Sequence, residues 1–178
     1  MNWIRSFFVR KNFSSEIITI HNFLSISECE EILELLKNYT FNGAHQFNNG
    51  RHNSEMFIED EEIIGLIIKK MKSLRIKGSK QVIEYHKPFE FYRYNEGDYI
   101  LPHQDSSMCF NSGNYSNFTA IIYLNNNYQG GYTFFNQLKK YIKPRTGTLL
   151  LFKHNLLHEA QIVTNGTKFI YRSNWYIN

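Results

Sequence analysis

After Gly78 the chain breaks into short aromatic and β-branched segments separated by turn residues, and this pattern limits the possible folds more than any other feature. The separators are Asn95-Glu96-Gly97-Asp98, Asn125-Asn126-Asn127, Gln129-Gly130-Gly131, Pro144-Arg145-Thr146-Gly147 and Asn165-Gly166. Gly and Asn tolerate positive φ and Pro presets a turn, so each cluster marks a reversal with a mechanism. Between them lie candidate strands at Phe89–Tyr94, Tyr99–Gln104, Thr119–Leu124, Tyr132–Phe135, Thr148–Phe152, Leu157–Val163 and Thr167–Tyr176. Short strands at this spacing predict two packed antiparallel sheets, a sandwich or a jelly roll.

The first half reads differently. Ile17–Phe23 alternates loosely and is a candidate strand. Leu24–Thr40 is expected to be helical, with Ser27 as cap and Glu30 closing a capping box. Cys29, Ile32, Leu33 and Leu36 then share one helical face. A second helix is expected from Asp60 to about Leu74, with Ile64, Ile67, Ile68 and Met71 on one face. Two such amphipathic helices would pad the outer face of one sheet. The expected organisation is one domain over residues 1–178, with helical support at 17–78 and a β core at 79–178.

Length and composition agree. A chain of 178 residues suits one domain and buries roughly 70% of its unfolded surface, so neither disulfides nor a structural metal are needed to fold it. With 42% hydrophobic and 20% charged residues, a disordered chain is excluded. The net charge of +4 is modest. Its densest basic stretch, Lys69–Lys80, reads as a solvated helix face and its exit loop. Two cysteines, Cys29 and Cys109, are too few for a secreted disulfide scaffold and predict reduced thiols in a cytoplasmic setting. No apolar run reaches the roughly 18 residues of a membrane span, and the apolar patch around Phe7–Val9 is too short for a signal-peptide core.

One constellation carries chemistry. His103 and Asp105 lie in Leu101-Pro102-His103-Gln104-Asp105. On an extended segment, residues two apart point to one face, so an imidazole and a carboxylate are offered to one point. His158 is the candidate third ligand, and His154 competes with it. Two His and one carboxylate leave open positions on a metal, the facial arrangement of non-heme Fe(II) oxygenases. Lys168 and Arg172, four apart on one candidate strand, also share a face. A buried dianion would need such a cation.

Residues around this triad resemble the Fe(II)/2-oxoglutarate-dependent oxygenases, in particular the prolyl 4-hydroxylase-like branch. The similar segments are FEFYRYNEGDYILPHQD at 89–105, FTAIIYL at 118–124, GGYTFF at 130–135, PRTGTLLLF at 144–152, the His-to-Lys-to-aromatic run at 158–176, and HNFLSISECEEILELL at 21–36. The resemblance implies an α+β fold: a double-stranded β-helix (jelly-roll) core of antiparallel strands with two N-terminal helices on one sheet. It implies Fe(II) on His103, Asp105 and His158, and the distal carboxylate of 2-oxoglutarate on Lys168. Tyr94 and Tyr123 would hydrogen-bond that co-substrate, and Thr133 would line the same pocket. Arg172 would meet the keto-acid end or the substrate, although its role and that of Lys168 could be exchanged. An arginine there departs from the prolyl hydroxylases. O2 would be the oxidant, with ascorbate in a supporting role.

The implied reaction is hydroxylation of an unactivated C–H bond, with a peptidyl proline as the first expected substrate. A free amino acid or small metabolite is the alternative, and an inactive jelly-roll binding protein is the non-enzyme reading. Nucleic acid is disfavoured, because no groove-reading motif or long basic stripe is present. The loop at 106–117 and the segment 43–55 are the expected places for substrate contacts.

Overall fold

A computed structural model describes residues 7–12, 16–43, 50–77 and 82–178. In chain order its elements are β1 (Phe7–Asn12), β2 (Ile17–Ile20), α1 (Ile26–Leu36), β3 (Asn42–Gly43), β4 (Arg51–His52), β5 (Ser54–Ile58), α2 (Glu61–Ser73), β6 (Leu74–Lys77), β7 (Val82–Tyr85) and β8 (Phe89–Tyr94). The second half adds β9 (Tyr99–His103), β10 (Phe118–Tyr123), β11 (Gln129–Gly130), β12 (Thr133–Phe135), β13 (Lys140–Ile142), β14 (Leu149–Lys153), β15 (His158–Ala160), β16 (Val163–Asn165) and β17 (Lys168–Ile177).

Most of these strands form two sheets. The larger has the order β2-β14-β10-β17-β8-β5-β3, with β7 also pairing β17; the smaller has the order β13-β12-β15-β9-β4. Pairing is antiparallel in both, while β1 and β6 pair in parallel apart from them. Alternation along each strand splits the core in two. On one side of the larger sheet, Phe89, Phe91, Ala120, Ile122, Leu149, Leu151, Tyr171 and Trp175 pack with Cys29, Ile32 and Leu36 of α1 and Ile63, Ile64, Ile67 and Met71 of α2. On the other, Tyr92, Tyr94, Ile121, Tyr123, Leu150, Phe152 and Ile170 meet Ile100, Phe135 and Ile142 of the smaller sheet. The helices therefore cover one outer face, and the second layer lies between the sheets.

Both helices have the expected hydrophobic faces, but α1 is shorter than the expected Leu24–Thr40, and its cap lies upstream of the expected one. Ser25, not Ser27, is the cap, and Glu28, not Glu30, closes the box. Ser25-x-x-Glu28 has the same pattern two residues upstream, and Ser27 only joins it through a hydroxyl contact at 3.0 Å. Asp60 caps α2 by accepting from the Glu62 and Ile63 amides. The long strand expected at Leu157–Val163 is two strands in two sheets, β15 and β16. Gly147, with φ +74°, lets the chain pass against Leu24, whose carbonyl oxygen would lie 2.0 Å from any Cβ there. Among the described residues, no helix is long and apolar enough to cross a membrane.

Candidate functional site

Strand register places the candidate residues in rows. In the larger sheet, Lys168 stands opposite Tyr94, Ile170 opposite Tyr92, and Arg172 opposite Glu90. On the other edge of β17, Ile121 pairs Arg172 and Tyr123 pairs Ile170. In the smaller sheet His158 pairs directly with His103 on one side and Phe135 on the other. A β-bulge makes this possible. Ala160 pairs with Ile100 rather than Leu101, so Leu101 and Pro102 together face Glu159. The extra residue resets the alternation. Ile100 is buried between the sheets, and His103 still turns into the same space.

That space is a pocket of about 420 Å³, within the usual range for small-ligand sites. His103, Asp105, Thr133, His158, Lys168 and Arg172 are among its walls. One ligand atom from each of His103, Asp105 and His158 lies within 4.8 Å of the others. His103 Nε2 is 3.9 Å from Asp105 Oδ1, and His158 Nε2 is 3.6 Å from Asp105 Oδ2. Each imidazole Nδ1 bonds a backbone carbonyl, Leu101 O at 2.8 Å and Leu156 O at 2.9 Å. A carbonyl can only accept, so each neutral ring holds its hydrogen on Nδ1 and turns a bare Nε2 to the pocket. Burial pushes His158 down to about 4, which keeps that nitrogen free to ligate. The donor set therefore fits a divalent metal with open positions.

Asp105 is held on both oxygens. Arg172 Nη2 donates to Oδ1 at 2.7 Å and Thr119 Oγ1 to Oδ2 at 2.6 Å. Burial would raise this carboxyl, but Arg172, His158 and Thr119 hold it down at about 2. Arg172 also donates to Glu90 at 3.2 and 3.3 Å, and Glu90 accepts from the Tyr92 hydroxyl at 2.7 Å. At the mouth, Arg51 pairs with Glu55 at 2.8 Å and lies 4.8 Å over the Tyr92 ring.

The other end of the pocket is unlike this. Lys168 is 1% exposed. Its Nζ donates to the Gly131 carbonyl at 2.8 Å and lies 4.7 Å and 5.9 Å over the rings of Tyr94 and Tyr123. Among the described residues no carboxylate pairs with it, and burial pushes it down to about 7. Gly131 must be small: at φ +62°, a Cβ would stand 3.1 Å from Tyr128 and Val163 and 3.2 Å from Lys168 Cδ. Thr133 Oγ1 bonds the Tyr123 hydroxyl at 2.7 Å. Tyr123 is fully buried and is not part of the pocket wall, whereas Tyr94 and Thr133 are.

The pocket thus brings together His103, Asp105, His158, Lys168, Tyr94, Thr133 and Arg172, with Tyr123 behind Thr133. His154 is excluded from the triad, being bonded to Thr119 and Ser116. Arg172 is engaged with Asp105 and Glu90. Sequence reasoning missed Glu90, Thr119 and Tyr128. Glu90 and Thr119 carried a signal, since each alternates in phase with a candidate residue on its own strand. Tyr128, whose buried hydroxyl has no hydrogen-bond partner among the described residues, carried none. Within 43–55, Arg51 and Glu55 reach the pocket, while 44–49 lie outside the described residues.

Comparison with known proteins agrees. Residues 89–176 match the family described as the 2OG-Fe(II) oxygenase superfamily. The chain is 25% identical over 173 residues to the "Putative prolyl 4-hydroxylase" of Acanthamoeba polyphaga mimivirus, covering 85% of this chain and 70% of that protein. Its structure resembles the viral collagen prolyl hydroxylase of Paramecium Bursaria Chlorella virus-1 in its 2OG complex, at TM-score 0.69 and 24% identity over 91% of this chain and 96% of that one. It also resembles a Trichoplax adhaerens prolyl hydroxylase in complex with a hypoxia inducible factor peptide fragment, at TM-score 0.65 and 18% identity over 92% and 84%.

Proposed function

We propose, for a chain that belongs to the 2OG-Fe(II) oxygenase superfamily, that this pocket hydroxylates a prolyl residue in a peptide. The two facing sheets are read as a jelly roll, the double-stranded β-helix. The observation that carries the reading is Lys168, an ammonium 1% exposed and without a carboxylate partner among the described residues, in the same pocket as the His103, Asp105 and His158 donors. An unpaired buried cation is costly, and a dicarboxylate chelated at the metal would place its far end there.

Fe(II) on those three ligands, with 2-oxoglutarate and O2, supplies oxidative decarboxylation to succinate and CO2 coupled to conversion of C–H to C–OH. The protein's residues do the rest. The Nδ1 hydrogen bonds of His103 and His158 fix both rings. Arg172 and Thr119 fix the carboxylate. Lys168 takes the distal carboxylate, with the Tyr94 hydroxyl and Thr133 beside it. Phe135, Phe152 and Ile170 pack the inner layer and exclude water. Arg51, Glu55 and Phe57, the last 55% exposed, line the same pocket and would meet the peptide. The relatives named as prolyl hydroxylases support the substrate class.

The test is succinate formation with Fe(II), 2-oxoglutarate and a proline-rich peptide, read with a +16 mass shift on the peptide. Turnover on the peptide and none on free proline is expected. Turnover on free amino acids alone would replace the peptide reading with a small-molecule one.

A further inference from the structure

We propose that Thr119 and His154 are positioning residues for the metal-binding carboxylate of Asp105, and that they tie it to the loop at residues 106–117. The inference rests on the metal-site reading above. Its basis is that, with His154 neutral, the hydrogen bonds can run in only one direction. A carboxylate only accepts, so the Thr119 hydroxyl gives its one hydrogen to Asp105 Oδ2 at 2.6 Å. Thr119 Oγ1 must then accept from His154 Nδ1 at 2.9 Å. In the neutral imidazole, Nε2 is consequently bare, and it accepts from the Ser116 hydroxyl at 2.9 Å. Ser116 Oγ in turn accepts the Met108 amide at 2.8 Å. The direction runs one way, from the loop backbone to the carboxylate.

The members are buried: Ser116 is 2% exposed, Thr119 1% and His154 8%. A second link closes the unit, since the Asp105 amide donates to the His154 carbonyl at 3.2 Å. The loop end is strapped as well, with the Ser116 amide donating to the Met108 carbonyl at 2.8 Å. With Arg172 on Oδ1, each Asp105 oxygen has one fixed donor and the carboxylate plane cannot rotate freely. A fully satisfied buried network fixes geometry in a way that an apolar filling would not. Partners behind a metal ligand commonly contribute about 10–100-fold in metal affinity.

The experiment is a Mn(II) titration of the metal-free full chain, with thermal melting of each metal-free variant alongside. Asp105→Ala must lose Mn(II) binding; if it binds as the wild type does, the metal-site reading itself fails. Given that control, Thr119→Val should weaken Mn(II) binding by about 10–100-fold, and Thr119→Ser should stay within about threefold of wild type. His154→Phe should weaken it in the wild-type background and add almost nothing to Thr119→Val. Wild-type affinity in Thr119→Val overturns the proposal, as do equal losses in Val and Ser or losses that multiply in the double variant. Ser116→Ala tests the loop link and stands in if Thr119→Val does not fold. A loss of several-fold supports the link, and unchanged affinity overturns it.

Discussion

The two ends of the pocket handle charge in opposite ways. At the metal end every ionised group has a protein partner: Asp105 has Arg172, and Arg172 also has Glu90. At the far end Lys168 is buried with a carbonyl and two aromatic faces and no counter-charge among the described residues. The first end is built before any ligand arrives. The second is left incomplete, so that an anion gains most where it completes the electrostatics. Burial thus carries opposite signs in one cavity, costing the folded protein at Lys168 and strengthening the pairs at Asp105.

Substitutions at the two ends should separate them. The largest effect is expected from Asp105→Ala, which should abolish succinate formation. It should also destabilise the metal-free protein by about 2–3 kcal/mol, short of the full cost of a stranded buried charge because Glu90 still faces Arg172. Lys168→Met should weaken 2-oxoglutarate binding by about 100-fold, equivalent to about 2.7 kcal/mol, yet the unliganded protein should melt no lower than wild type. A lower melting temperature in Lys168→Met would show that the ammonium is paired after all and erase the contrast.

A third prediction follows from the Lys168 value of about 7. Its folded value is depressed, so between about pH 7 and the unfolded range near 10.4 the unfolded chain binds more protons. The lysine's contribution to stability therefore rises with pH across that window. In the proposed role of Lys168, 2-oxoglutarate binds to the ammonium, so affinity should fall about tenfold per pH unit above about 7. Calorimetry in buffers of different ionisation enthalpy should detect proton uptake on binding. Flat affinity from pH 7 to 9 would count against it. The smallest effect is expected from Tyr123→Phe, which removes one buried hydrogen bond to Thr133. Loss of about 0.5–1.5 kcal/mol in a denaturant melt is expected.

Much of this was legible in the sequence because it depends on spacing. His103 and Asp105 sit two apart, Lys168 and Arg172 four apart, and the turn clusters bound the strands between them. Phe89–Tyr94 coincides with β8, because its aromatic residues suit a pleated, half-buried surface. What the sequence concealed depends on register between distant strands. Ser54–Ile58 looks like loop until β8 supplies its partner, although Met56 and Ile58 alternate with Glu55 and Phe57. His154 and His158 are equivalent by composition; the structure sets His158 beside His103 and Asp105, while hydrogen bonds to Thr119 and Ser116 occupy His154. The role of Arg172 was open because its two carboxylate partners lie 67 and 82 residues away.

The bulge at Leu101–Pro102 sets a rule for anyone moving this site to another scaffold. A strand is a parity code, in which odd and even positions are inside and outside. One uncounted residue lets position 100 and position 103 both read as inside. A graft that copied the three ligands onto an unbroken strand in the same spacing would carry the full chemistry and turn either Ile100 or His103 to solvent. The unit to transplant is therefore the irregularity together with the histidine it aims.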